Sequence, residues 1–209
     1  MFIFLAVILL AALILFRYYE PRIKGGIGEH FVDERLSSLD PAHYRILNDL
    51  LLPSLGNTKT TQIDHVVVSN FGIFCIETKD YDGWIFGDAY QDYWTQVIYR
   101  SKHRFYNPIH QNFAHIKAIE ALVNPLFPNV PIYPYVAFPS ADKLKISGAD
   151  YVGTAGDMIR KIQSLTQAIL SDANRDKIFD ILNQANITNE EERRKHIQDA
   201  RFMKDLRGS

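Results

Sequence analysis

The sequence predicts an α/β fold with a mixed sheet, and three observations on its 209 residues support that class. Two apolar runs separated by the turn residues Ser69–Gly72 indicate a β-hairpin from Gln62 to Lys79. Helical spacing of apolar residues begins near Gly26 and again after Asn107-Pro108. The apolar segment Pro131–Pro139 is typical of a last core strand. The order helix, strand, hairpin, helix, strand therefore predicts helices packed on a sheet.

The composition suits one compact domain with a sizeable core. Apolar residues make up 47% of the chain and aromatic residues 12%. The net charge of −1 excludes a uniformly basic nucleic-acid coat, so any contact with nucleic acid must come from local basic patches. Cys75 is the single cysteine, which excludes an internal disulfide and a zinc site built from several cysteines. We expect Cys75 to be a small buried strand residue.

Residues 1–16 contain no charged or polar side chain, which favours lipid over a protein core. The run is shorter than the ~20 residues of a usual span, but Arg17 and the two tyrosines after it extend it by reaching the interface. A cleaved signal peptide is the rival interpretation, but a basic n-region and a small-x-small cleavage site are missing. Because Arg17, Arg22 and Lys24 follow, we expect a single-pass cell-membrane protein whose chain after residue 17 faces the cytoplasm.

The remaining strands are predicted from local patterns. Tyr44–Leu52 is expected to form the first strand, and the β-branched run Val66–Val68 indicates a strand covered on both faces. The stretch Asp80–Asp92 indicates a further hairpin or flap near the hairpin's end, and Trp94–Tyr99 another strand. We expect Lys143–Thr154 to be mainly loop with a short strand at most.

The predicted helices differ in how they start and in what they bury. The first covers about residues 26–39 and points Val32 and Leu36 inward. The second starts with Asn107 as N-cap and Pro108 at the first position. Its expected buried stripe is Ile109, Phe113, Ile116, Ile119 and Val123. Three C-terminal helices are expected around residues 158–170, 178–182 and 188–206, the last with a solvated charged face.

Charged residues lie at the open end of the predicted hairpin. With a loop of two or four residues, Asp64 faces Glu77 directly, and cross-strand partners lie ~5 Å apart at Cβ, close enough to hold one divalent ion together. A loop of three residues would put the two carboxylates on opposite faces. Lys79 shares a face with Glu77 because strand side chains alternate.

Five segments in order carry a resemblance to a known family: GIGEHFV, YRILNDLLLP, TQIDHVVVSNFGIFCIETKDYDGWIFGD, the W-x-Q of Trp94 and Gln96, and FYNPIHQN. Together they resemble the nuclease-related domain (NERD) of the PD-(D/E)xK nucleases over about residues 24–140. The resemblance implies a restriction-endonuclease-like three-layer sandwich with a central mixed sheet. We expect a membrane anchor helix at residues 1–20, the NERD domain at 21–140 and a C-terminal helical extension at 141–209.

The resemblance also implies a site. Asp64, Glu77 and the backbone carbonyl of Thr78 are expected to bind Mg²⁺ or Mn²⁺, since oxygen ligands suit these hard cations. Glu29 would hold a second ion or a coordinated water. Lys79 would orient or deprotonate the attacking water, or neutralise the scissile phosphate, and Gln111 would orient phosphate or water. Each of these roles has a structural alternative. Glu29 could be a glutamate that favours the start of a helix, and Gln111 a half-buried hydrogen-bonding glutamine. Asp64, Glu77 and Lys79 could be surface residues or a simple salt bridge.

The most basic stretch supplies the predicted substrate contacts. Arg100, Lys102 and Arg104 are mixed with aromatic residues, which would let cations take phosphates and rings stack on unpaired bases; a solvated loop is the alternative. The sequence thus predicts a membrane-anchored, metal-dependent nuclease acting on DNA or RNA. The alternatives are a non-catalytic module at the membrane that binds nucleic acid or protein, and an anchored scaffold whose C-terminal helices recruit partners.

Overall fold

The computed structural model describes residues 26–54 and 58–208, which form an α/β fold with five helices and two mixed sheets. The strands are β1 (Tyr44–Pro53), β2 (Thr60–Ser69), β3 (Gly72–Thr78), β4 (Gly83–Asp88), β5 (Tyr93–Ile98), β6 (Ser101–Tyr106), β7 (Ile132–Ala137), β8 (Ala141–Ser147) and β9 (Val152–Gly153). The helices are α1 (residues 26–36), α2 (Pro108–Val123), α3 (Ala155–Gln163), α4 (Asp172–Ala185) and α5 (Glu190–Gly208).

The predicted membrane anchor at residues 1–16 lies outside the described residues. Within the described ranges, none of the helices combines the length and the apolar character that crossing a membrane requires.

The first sheet has the strand order β1-β2-β3-β7-β9. Its first three strands form an antiparallel meander, and β7 and β9 join it in parallel. The hairpin between β2 and β3 has a loop of two residues, one of the two predicted lengths, since Ser69 pairs with Gly72 and Val66 pairs with Cys75. The predicted register is therefore confirmed, and with it the side of the sheet on which each residue of β3 lies.

Helices cover both faces of the first sheet, giving three layers. On one face α1 and α3 pack against β2, β3 and β7 through a buried cluster that includes Val32, Leu36, Val67, Phe74, Ile76, Met158 and Ile162. On the other face α2 and α4 pack through Leu50, Val66, Ile73, Cys75, Ile116, Ile119, Ile178 and Leu182. Burial on both faces explains the uninterrupted valine run of β2, and it confirms the prediction that Cys75 is buried.

The second sheet has the strand order β6-β5-β4-β8 and lies largely within the chain segment between β3 and α2. One of its faces is held to the rest of the protein by a third buried cluster. There Trp94 stacks on Phe138, with ring centroids 6.1 Å apart. A Cβ atom at Gly87 would lie 2.3 Å from the Trp94 ring, so this close packing requires glycine. Residues 141–153 contribute β8 and β9, which pair with β4 and β7.

The strands β6, β8 and β9 correct three expectations. The basic stretch after Ile98 is a paired strand, β6, and the predicted alternative of a solvated loop is wrong for residues 101–106. Most of the expected loop at 143–154 is also strand, because Lys143 and Lys145 alternate with Leu144 and Ile146 in β8. The strand β7 is consequently not the last one of the core.

Two helix predictions are also corrected. Phe113 is 59% exposed and lies outside the buried stripe of α2, where the Lys117 ammonium stands 5.5 Å from its ring centroid. The first C-terminal helix ends at Gln163 and does not reach Leu170. The backbone N–H groups of Ile169 and Leu170 both donate to the carbonyl of Asn70, so a tertiary contact replaces the helical hydrogen bonds.

Candidate active site at the fork of β2 and β3

The strands β2 and β3 separate where the predicted site begins. Their last paired residues are His65 and Ile76. Beyond them β2 continues beside β1, while Glu77 and Thr78 of β3 pair with β7. Asp64 and Glu77 are thus the first residues of the two diverging strands. The fork therefore has a carboxylate on each strand, Asp64 on β2 and Glu77 on β3.

The β1–β2 ladder is interrupted at the same place. Asn48 pairs with His65 and Leu50 pairs with Ile63, but Asp49 and Asp64, which lie between these pairs, are not paired with each other. Asp49 has a φ of 53°, in the left-handed region that an aspartate can adopt. Arg193 of α5 donates to the Asp49 carboxylate at 2.5 Å, so the far C-terminal helix contacts this irregular position. No local sequence pattern indicates this interruption.

Asp64 is tied across the fork. The backbone N–H of Thr78 donates to its Oδ2 atom at 2.7 Å, so the carboxylate bridges β2 and β3 where their own ladder has ended. Burial and the nearby Glu77 carboxylate raise the pKa of Asp64 well above its ordinary value, although Lys79 and this hydrogen bond act against the shift. A positive charge placed beside Asp64 would therefore be strongly favoured.

Glu77 is 1% exposed and has a partner on each oxygen. The Lys79 ammonium donates to Oε1 at 2.5 Å, and Nε2 of His115 donates to Oε2 at 3.0 Å. Burial alone would raise the pKa of Glu77, but Lys79 and His115 outweigh burial, and its pKa is lowered. Glu77 is therefore held as a carboxylate in a buried position, where an unpaired charge would be very costly.

Lys79 lies between the strand and helix α2. Its ammonium also donates to Oε1 of Gln111 at 3.1 Å, and its side chain is 20% exposed. Burial alone would lower the pKa of Lys79, but the carboxylates of Glu77 and Asp64 outweigh it and raise the pKa above its usual value. Lys79 is thus a positively charged donor that retains access to solvent.

Helix α2 brings both Gln111 and His115 to β3. Asn107 caps this helix by accepting from the Ile109 N–H, as predicted. Residues four apart share a helix face, which places His115 over Glu77 when Gln111 is over Lys79. On its other side, Nδ1 of His115 lies 2.6 Å from the Thr61 hydroxyl. His115 is not among the site residues predicted from the sequence, although its spacing of four residues from Gln111 on the same helix was the available signal.

Glu29 faces the same charges from α1. Burial and the carboxylates of Asp49 and Glu77 raise its pKa, and Lys79 acts against them. The preceding residue explains the close approach of this helix, because a Cβ at Gly28 would lie 2.4 Å from the Cβ of Asp80. The sequence Gly28-Glu29 therefore has a physical basis. Because Gly28 has no side chain, α1 can approach the chain just after Lys79, and this approach brings the next residue, Glu29, toward the site.

Comparisons with known proteins give the family. The family model of the nuclease-related domain matches residues 24–139, more than half of the chain. The chain belongs to the nuclease-related domain (NERD) family. It is 35% identical over 182 residues to an uncharacterized protein of Bacillus anthracis, covering 86% of this chain and 85% of that protein. No solved structure matches the chain. The PD-(D/E)xK superfamily is the known context of the NERD family.

The donor atoms at this site are carboxylate and carbonyl oxygens, the kind of ligand that Mg²⁺ and Mn²⁺ take. Lys79 lowers the pKa of Glu29, Asp64 and Glu77, whereas the Glu77 carboxylate raises the pKa of the other two. A further cation beside these groups would favour their charged forms. Across the described ranges, no cluster of three His, Cys, Asp or Glu side chains is close enough to hold a metal. The predicted set has two carboxylates and a backbone carbonyl, and Lys79 would share Glu77 with the ion.

The predicted substrate contacts lie on the second sheet of the NERD fold and not at the fork. Arg100 precedes β6 in the turn after β5, and Lys102 and Arg104 are exposed on β6, the outer strand of that sheet. The guanidinium of Arg104 stands 4.8 Å from the centroid of the Tyr93 ring. The basic stretch is thus an ordered strand surface with aromatic partners.

Proposed function

We propose that this protein is a metal-dependent nuclease with a restriction-endonuclease-like core that hydrolyses phosphodiester bonds at the fork of β2 and β3. One observation carries the proposal: Asp64, Glu77 and Lys79 come together where the two strands separate, and Glu77 is buried yet kept ionised. A buried carboxylate costs stability, and such costly groups concentrate at functional sites. Membership of the NERD family supports the same reaction class.

In this proposal Asp64, Glu77 and the carbonyl of Thr78 hold Mg²⁺ or Mn²⁺. When bound, such an ion activates water and offsets the charge that develops on the phosphate. Glu29 faces the same region and adds a carboxylate for a second ion or for a coordinated water. The N–H of Thr78 fixes the Asp64 carboxylate, and His115 fixes Glu77, so these ligands are oriented before substrate arrives.

Lys79 acts as a charged donor. Because Glu77 and Asp64 keep it protonated, we assign it to neutralising the scissile phosphate and orienting the attacking water, and not to removing the proton from that water. Gln111 positions the ammonium by accepting one of its hydrogens. Donors aimed at developing charge are typically worth about 10²–10³ in rate, so the loss of Lys79 should reduce cleavage by at least that factor.

The organisation around this site is part of the proposal. Residues 1–16 would anchor the protein in the cell membrane, with the chain after residue 17 in the cytoplasm. The catalytic domain would span residues 21–140, and residues 141–209 would follow as an extension that adds β8 and β9 to the two sheets and packs helices against the first sheet.

Cleavage by the purified full-length chain, kept in mild detergent because of its apolar N-terminus, tests the function. Plasmid, single-stranded DNA and RNA would each be incubated with Mg²⁺, Mn²⁺ or EDTA. We expect metal-dependent cleavage that is lost in Asp64→Ala and in Lys79→Ala. The exposed residues Asp180 and Lys195 provide matched controls of the same charge, and their alanine variants should cleave at the normal rate.

A binding measurement separates this function from its alternative. Metal should raise the melting temperature of the normal protein and leave that of Asp64→Ala unchanged. If the folded protein cleaves nothing but still binds nucleic acid, the site belongs to a non-catalytic binding module. If metal stabilises Asp64→Ala as strongly as the normal chain, the assigned ligands are wrong.

A further inference from the structure

The outer face of the second sheet is aromatic and basic. Residues directly opposite each other in neighbouring strands share a face, and the pairing defines two rows across β8, β4, β5 and β6. The first row is Lys143, Trp84, Val97 and Lys102. The second row, beside the first, is Lys145, Phe86, Thr95 and Arg104. The opposite face carries Ile85, Trp94 and Leu144, which pack on the body of the protein. The two rows therefore face away from the core.

Trp84 is the most unusual residue of this outer face. It is 44% exposed, whereas the chain's other tryptophan, Trp94, is 1% exposed. The ammonium groups of Lys143 and Lys145 each stand 5.1 Å from the Trp84 ring centroid, and Lys145 is also 5.1 Å from that of Phe86. A large ring exposed on a strand between cations presents a flat π surface beside positive charge.

The charge of this face differs from that of the whole chain. Its paired positions carry four cations, Lys102, Arg104, Lys143 and Lys145, against one carboxylate, Asp88, at one end. Asp88 itself is engaged by the hydroxyl of Ser147 at 2.5 Å. The chain as a whole has a net charge of −1, so positive charge is concentrated here. A polyanion would be attracted to this face.

We propose that this face binds single-stranded nucleic acid, with bases stacking on Trp84 and Phe86 and phosphates contacting the flanking cations. Single strands offer free base faces, whereas the bases of a duplex are already stacked on one another. Same-face positions along a strand are ~6.6 Å apart, so the two rows provide successive contacts along an extended chain. The binding itself does not require cleavage. The further step, that the bound strand is also the substrate of the active site, rests on the proposed nuclease function.

The chain connects this face closely to the fork. Trp84 follows Lys79 by five residues, which limits the distance between their Cα atoms to about 18 Å. The strand β6 ends at Tyr106, and Gln111 lies in the first turns of the helix that follows. Both ends of the β4–β6 segment therefore continue into elements that carry the proposed active site. A single strand lying across Trp84 has the fork within a few nucleotides.

Binding in EDTA tests this inference separately from cleavage. The full-length chain in detergent would be titrated with labelled oligo-dT, oligo-U and a duplex, and anisotropy would report the dissociation constants. We expect the single strands to bind more tightly than the duplex and to quench the exposed Trp84 emission. Trp84→Ala should weaken single-strand binding by at least about fivefold. Lys143→Ala with Lys145→Ala should reduce the slope of log affinity against log salt by about 1.4.

The chain offers a matched control. Lys117 and Phe113 form a comparable exposed cation–aromatic pair on α2, and removing both side chains should leave the affinity for single strands unchanged. Urea unfolding of each variant would confirm that it is folded. Equal affinity of Trp84→Ala and the normal chain, or tighter binding of the duplex, would overturn the inference. Loss of cleavage with intact binding would contradict only the nuclease function.

Discussion

Replacing Lys79 by methionine isolates the charge at the centre of the site. Methionine keeps most of the aliphatic length of lysine and removes the ammonium, which donates to Glu77 at 2.5 Å and to Gln111 at 3.1 Å. Glu77 is 1% exposed, so after this change its charge stays buried with His115 as the remaining partner. The variant should therefore be less stable than the normal chain, and a cation that binds at Glu77 should restore part of the loss.

The structure sets the expected size of the effect. Breaking a fully buried ion pair costs about 3–5 kcal/mol, and breaking an exposed pair costs about 0–1 kcal/mol. Lys79 is 20% exposed and Glu77 keeps its hydrogen bond to His115, which places the expected loss at about 2–3 kcal/mol in EDTA. Divalent metal at 100 times its dissociation constant would return about 2.7 kcal/mol.

Urea unfolding of a double-mutant cycle measures this coupling. Lys79→Met, Glu77→Gln and the double variant would be compared in EDTA, and the coupling energy should be about 2 kcal/mol. Lys161 pairs with Asp150 at 2.8 Å, but their side chains are 46% and 80% exposed, so Lys161→Met should change stability by less than about 0.5 kcal/mol. A coupling energy between Lys79 and Glu77 as small as the effect expected for Lys161→Met, less than about 0.5 kcal/mol, would refute the reasoning.

Three further variants test other contacts. His115→Ala should cost about 1–3 kcal/mol and slow cleavage, because Glu77 loses its buried donor; urea unfolding and cleavage rates measure both. Gly87→Ala should cost about 1–3 kcal/mol in urea unfolding, because the added methyl meets the Trp94 ring. Hydrogen bonds in the α3 capping box lower the pKa of Asp157 in the folded protein. The stability that this carboxylate gives the folded state is fully present above its unfolded pKa of 3.8, and it is lost as the pH falls through the lower folded pKa. Asp157→Asn should reduce this acid dependence in pH-dependent melting.

The central hairpin could be predicted because its information is local. Ser69 to Gly72 specify a short turn, and the apolar residues on both arms fix which register buries them. Once the register is known, the positions of Asp64 and Glu77 at the open end follow by counting. The start of α2 was predictable for a similar reason, since Asn107 and Pro108 favour a helix start whatever lies around them.

Other features depend on contacts between distant parts of the chain. Asp49 is held in its left-handed conformation beside Arg193, which is 144 residues away, so no window of sequence contains both partners. The second sheet needs β8, from beyond residue 140, to complete it. Its alternation of lysine with leucine and isoleucine was visible, but it becomes a strand only when β4 provides a paired neighbour.

Most of the second sheet lies, along the chain, between the two elements that carry the candidate active site. Its strands β4, β5 and β6 come from the segment between β3, which carries Glu77 and is followed by Lys79, and α2, which carries Gln111 and His115. The two ends of that segment therefore continue into the two sides of the hydrogen bond between Lys79 and Gln111. A packed connection of this kind, through Trp94 and Phe138, resists distortion because protein interiors are close-packed. In the proposed function, binding energy gained on the outer face would hold the scissile phosphate at the fork without displacing the residues that act on it.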